Sequence, residues 1–126
     1  MKKSGLLALA LVVMLGIVGR AEAAEAAKSF YTGSEILSKC KSPSAAWQDS
    51  CKMFLATVMD TTRAWNRAGE LQKLICPPED VDTEALKAVF IKHASDKKNR
   101  KELDDAAATL AVNAFINAYF CQIPRQ

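Results

Sequence analysis

Beyond residue 27, apolar residues recur at three- and four-residue steps in four separate stretches, the period of a helix with one buried face. Ile36, Leu37 and Cys40 share a face of a short first helix. Trp47, Cys51, Phe54, Leu55, Val58, Thr62 and Trp65 mark a long second helix, with Trp65 expected to fill core. Leu86, Val89, Phe90 and His93 mark a third, and Leu103, Ala107, Leu110, Ala111, Ala114, Phe115 and Ala118 a fourth. Sustained apolar/polar alternation and the Asn-Gly or Asp-Gly pairs of tight hairpins are missing, so the pattern predicts an all-α, small four-helix domain.

Punctuation between the stretches agrees with the helices. Thr32-Gly33-Ser34-Glu35 reads as a capping box, in which the Thr32 hydroxyl accepts from the Glu35 N–H while the Glu35 carboxylate accepts from the Thr32 N–H. Tyr31 before it is placed to staple onto Ile36. Ser42-Pro43 predicts a cap followed by proline at the first helical position, and Gly69 suits the left-handed residue past a helix end. Pro77 and Pro78 force the connector from Glu70 to Pro78 to run extended. Asp82 is the expected cap of the third helix, with Val81 and Leu86 as a second staple. The charged run Asp96 to Glu102 interrupts the pattern before the fourth, whose early Asp104 and Asp105 favour a helix start.

The first stretch of the chain is different in kind. Lys2 and Lys3, an apolar run from Leu6 to Val18, and the small-residue sites Ala21-Glu22-Ala23 and Ala24-Glu25-Ala26 form a secretory signal peptide over residues 1–23, with cleavage after 26 as the other option. The apolar run is shorter than the roughly twenty residues that span a bilayer. Cleavage leaves a helical domain over 27–126 with no membrane segment, and its removal of Lys2, Lys3, Arg20 and Glu22 lowers the formal charge from +3 to about +1. A near-neutral chain without a basic stripe interleaved with aromatics has little electrostatic footing for nucleic acid.

All four cysteines, Cys40, Cys51, Cys76 and Cys121, follow the signal, and an even count in an exported chain reads as two disulfides. Three pairings are possible. Cys40 with Cys51 is preferred because it would tie the end of the first helix to the second turn of the next, and Cys76 with Cys121 because it would pin the connector to the chain's end. C-x-x-C and haem-attachment spacings are missing and His93 is the one histidine, so the chain is expected to bind no metal and no cofactor. Nor can a Ser-His-Asp or free Cys-His arrangement be assembled without a reduced cysteine, so an enzyme is not expected. His93, at the end of an apolar series, reads as a packed structural residue.

The order of landmarks resembles a known family. "FYTGSEILSKC" from Phe30 to Cys40, a second cysteine at Cys51, "CPPEDVDTEALKAVFIKHA" from Cys76 to Ala94 and "AATLAVNAFINAYFC" ending at Cys121 together resemble the Rap/Tai family of type VI secretion immunity proteins. Pro77 replaces that family's usual leucine, His93 stands where an aromatic is common, and Lys97-Lys98-Asn99-Arg100-Lys101 is more basic than its usual connector. The resemblance implies a periplasmic homodimer that protects its cell by placing a loop in the substrate groove of a cognate peptidoglycan amidase effector. Candidate partner-binding residues are Lys97, Lys98, Asn99, Arg100 and Lys101, with Glu70 to Lys73 as a second segment. Met53, Met59 and Trp65 are candidates for a dimer surface. A different class of function, a periplasmic stress chaperone binding unfolded clients through exposed apolar surface, is the alternative.

Overall fold

The computed structural model describes residues 29–69 and 73–122; the signal peptide expected over residues 1–23 lies outside them. Four α-helices follow in order, α1 (Gly33–Lys41), α2 (Ala45–Ala68), α3 (Thr83–Ser95) and α4 (Ala107–Tyr119), with a 3-10 helix, Lys97–Asp104, between the last two. Every pair of α-helices is in contact, so one core serves all four. Ile36, Leu55, Met59, Leu86, Phe90, Leu110 and Phe115 fill it. The alanines Ala107, Ala111 and Ala114 are buried on α4, where small side chains let the neighbouring helices approach. Among the described residues, no helix is long and apolar enough to cross a membrane.

The caps explain most of the helix boundaries. At α1 the Glu35 N–H donates to Thr32 Oγ1 at 3.3 Å and the Thr32 N–H donates to Glu35 Oε2 at 2.7 Å, the reciprocal pair expected of a capping box. Asp82 Oδ1 accepts from the Ala85 N–H at 2.8 Å at the start of α3. Helix α2 ends at Gly69, whose φ of 72° lies in the left-handed region that glycine enters without a Cβ penalty.

Two expected boundaries move. Ser42-Pro43 does not open α2: Ser42 closes α1, donating its N–H to the Lys39 carbonyl at 3.2 Å, and α2 begins at Ala45 behind Ser44. Proline restrains the residue before it to extended dihedrals, so Pro43 acts as a stop for α1. Gln48 then reaches back, donating Nε2 to the Ser42 carbonyl at 2.9 Å. The charged run is the second case. It forms the 3-10 helix, and α4 starts at Ala107 instead of Leu103. Without an apolar stripe, local hydrogen bonds decide the conformation there: Asp96 Oδ1 accepts from Lys98 N–H at 3.0 Å, and Asn99 N–H donates to the Asp96 carbonyl at 3.0 Å. Asp104 therefore ends a helix instead of starting one, and Ala118 faces solvent.

Short antiparallel bridges sew the segments between helices into place. Thr32 pairs with Ala106, with Gly33 N–H donating to the Asp105 carbonyl at 3.0 Å and Ala107 N–H to the Tyr31 carbonyl at 2.9 Å. A Cβ on Gly33 would lie 2.5 Å from Leu110 Cδ2 and 3.2 Å from both the Glu102 carbonyl oxygen and Leu103 Cα, so this close approach requires glycine. Ile75 pairs with Phe120 in the same way, Cys76 N–H donating to the Tyr119 carbonyl at 2.7 Å. Beside that bridge Cys76 is bonded to Cys121, and across the α1–α2 turn Cys40 is bonded to Cys51.

Candidate functional site

The basic segment is a held surface. Asn99 is 7% exposed and donates Nδ2 to the His93 carbonyl at 2.9 Å, so it turns inward while Lys97, Lys98, Arg100 and Lys101 on either side of it are exposed. Asn99 is thus an anchor of the segment, where the sequence pattern had grouped it with the partner-facing residues. The other anchor is Glu102. Its Oε2 accepts from Asn113 Nδ2 at 3.2 Å and lies 3.5 Å from His93 Nε2, while His93 Nδ1 faces Asn117 Nδ2 at 3.2 Å. His93, its side chain almost wholly covered, therefore sits between α4 and the 3-10 helix as a structural link. Four cations are presented on a frame fixed by α3 and α4.

Exposed carboxylates reinforce the local geometry. The Lys98 backbone N–H, helped by the Lys98 charge, holds the Asp96 carboxyl below the usual range. The Thr32 backbone N–H and hydroxyl do the same for Glu35 in the capping box. Lys87 and Lys52 lower Glu84, from which they lie at 2.7 and 3.0 Å. A carboxyl whose pKa is depressed by folding stabilises the fold at pH values above its unfolded pKa, and that contribution is lost as pH falls through the folded value. Thermal melts between pH 7 and pH 2 are accordingly expected to be flat down to about pH 4, near the ordinary carboxylate value, and to fall below it. A melting temperature that rose on acidification would contradict these caps.

A second surface was read from the sequence only in part, through Met53 and Trp65, and not at Tyr31, Lys39 and Trp47. Trp65, expected to fill core with a dimer surface as its other reading, is 54% exposed, Trp47 is 51% exposed and Phe30 98%. Tyr31 meets the edge of Phe54 with ring centroids 6.3 Å apart. Lys39 Nζ lies 4.3 Å from the Trp47 ring centre and 5.2 Å from that of Tyr31, so a cation is stacked between two rings above a groove bordered by Ser34, Ser38 and Ser42. The miss has a simple origin. Trp47 and Trp65 lie at the margin of the α2 stripe, whose centre is taken by Cys51, Leu55 and Met59. Met59 is 2% exposed and so belongs to the core instead of the surface suggested for it, while Met53 is 71% exposed. Of Glu70 to Lys73, only Lys73 is among the described residues, and it is exposed.

All four cysteines are in disulfides, and no cluster of three metal-ligating side chains occurs among the described residues. The sequence model of a family described as Rap1a immunity proteins matches residues 32–121. The chain belongs to that family. The matched span begins at the Thr32 cap and ends at Cys121, so it takes in all four α-helices, the 3-10 helix and both disulfides. No curated protein and no solved structure matches the chain. As a Rap1a immunity protein it acts against a secreted effector, and the family works in general without catalysis. Its two disulfides suit an oxidising compartment.

Proposed function

We propose that this Rap1a protein is exported through its N-terminal signal to the periplasm, where it works as a homodimer that binds a peptidoglycan amidase delivered by type VI secretion and occludes its substrate groove. The observation that carries this reading is the 3-10 helix: Lys97, Lys98, Arg100 and Lys101 are exposed on a segment fixed from within by Asn99 and Glu102. A surface already ordered before binding loses little conformational freedom when it docks, so more of its interaction energy appears as affinity. Its positive charge steers approach to an acidic cleft and makes association depend on salt.

Coexpression in the periplasm with a candidate peptidoglycan amidase effector tests the reading. The native chain is expected to restore growth and to copurify with the enzyme at one-to-one stoichiometry. Reversing all four cations to glutamate should slow association at low salt by about tenfold or more while leaving the melting temperature within a few degrees. Full protection by the reversed variant would remove the basic helix from the mechanism, and no complex with the native chain would remove the amidase.

The exposed apolar residues of α2, Met53 and Trp65 among them, favour a second reading as a chaperone for unfolded clients. Suppression of aggregation of several unrelated proteins by the native chain would support that reading. Activity towards a single enzyme supports immunity.

A further inference from the structure

The two disulfides lie in different surroundings. Cys40 belongs to the last turn of α1 and Cys51 to the buried centre of α2, so their link sits inside the core, with Cys40 3% and Cys51 0% exposed. A thiol in solution reaches it only if the helices part. Cys76 belongs instead to the extended connector before α3, and the residue is exposed, while Cys121, to which it is bonded, is 7% exposed. One end of this second link meets solvent.

The connector explains that exposure. Successive side chains of an extended segment point to opposite sides, which puts Ile75 in the core at 4% exposed and brings Cys76 to the surface. Sulfur is not the only thing that keeps the two cysteines together. Cys76 N–H donates to the Tyr119 carbonyl at 2.7 Å, Cys121 N–H to the Leu74 carbonyl at 3.2 Å, and Asn66 Nδ2 to the Ile75 carbonyl at 3.3 Å. If the link is cut, these bonds leave its halves side by side.

Thiol–disulfide exchange starts when a thiolate attacks one sulfur of the pair, and its rate depends on access to that sulfur. We infer that Cys76 is a thiol-exchange site of the folded protein. A bond forms between the incoming sulfur and Cys76, the Cys76–Cys121 bond breaks, and its electron pair leaves on Cys121 as a thiolate. A second thiol then attacks the mixed disulfide and releases Cys76. The reductant ends as a disulfide, and the two protons its thiols gave up balance the two thiolates set free. Cys40–Cys51 stays closed throughout. By the reverse path the outer link can form in a chain that is already folded, whereas the inner one must form before the core shuts. None of this depends on which effector the protein binds.

Brief treatment of the oxidised native protein with glutathione tests it, at about pH 8, where a useful share of a free thiol is ionised. The reaction is stopped with excess maleimide and mapped by peptide mass. Early samples should carry glutathione on Cys76 and maleimide on Cys121, with the outer link opening at least about ten times faster than the inner one. Urea well below the unfolding midpoint should leave the rate at Cys76–Cys121 unchanged and accelerate the loss of Cys40–Cys51, because only the inner link waits for the structure to open. Glutathione found on Cys121, release of all four cysteines together, or an outer link that stays closed until the protein unfolds would each overturn the inference.

Discussion

Replacing Cys76 and Cys121 together by serine is expected to lower the melting temperature by roughly 15 to 30 °C. The bridge closes a loop with a sequence separation of 45 residues, and the chain-entropy treatment gives a constraint of that length a stabilisation of about 4 kcal/mol. The native chain holds the extended connector against the end of α4 with two backbone bonds beside the bridge, Cys76 N–H to the Tyr119 carbonyl at 2.7 Å and Cys121 N–H to the Leu74 carbonyl at 3.2 Å. Once the covalent link is gone, those bonds, the buried Ile75 and the Asn66 Nδ2 bond to the Ile75 carbonyl at 3.3 Å must order a segment whose prolines donate no hydrogen bonds. Cys40 and Cys51, separated by 11 residues, should show the smaller effect of about 3 kcal/mol when replaced in the same way. Thermal melts of the two double variants beside the native protein decide the matter. Equal and negligible losses would mean that packing alone holds the fold, and an order reversed between the two pairs would discredit the loop-length argument.

Phe115→Ala is expected to cost about 3 to 5 kcal/mol, the range for removing a fully buried aromatic ring. Phe115 is wholly buried on α4, where its nearest buried companions in sequence, Ala111 and Ala114, are small. Most of the volume that α4 contributes at this level of the core therefore belongs to one side chain, and alanines cannot lean across to fill the space left behind. Urea titration should show the midpoint falling with little change in slope. A loss below about 1 kcal/mol would show that the helices close over the vacancy. Phe115→Leu should recover much of the difference, because it restores apolar volume without a new polar group.

The helices were legible because their signals are local. The three-and-four spacing of Ile36 to Cys40, the Thr32 capping box, the Asp82 cap and the glycine after α2 each act within one or two turns, and each has its expected partner in the fold. Ser42-Pro43 misled because a serine before proline can close one helix as well as open another, and the choice depends on how the two helices pack. The 3-10 helix was hidden for a related reason: its ladder of backbone bonds is local, but Asn99 and Glu102 are held by His93 and Asn113, which belong to other helices. The same holds for the tryptophans of α2. Periodicity places them near the apolar stripe, yet only the positions of α1 and α3 decide that the buried centre runs through Leu55 and leaves Trp47 and Trp65 at its edge.

The two sulfur links also determine what becomes of the polypeptide when a protease cuts it. Between Cys76 and Cys121 the chain forms a closed ring that contains α3, the 3-10 helix and α4, and Cys40 and Cys51 close a smaller one. The exposed lysines and arginine from 97 to 101 are attractive to trypsin-like enzymes, but a single cut there opens the larger ring and leaves both pieces joined through sulfur. The same cut between residues 52 and 75 would part the molecule in two.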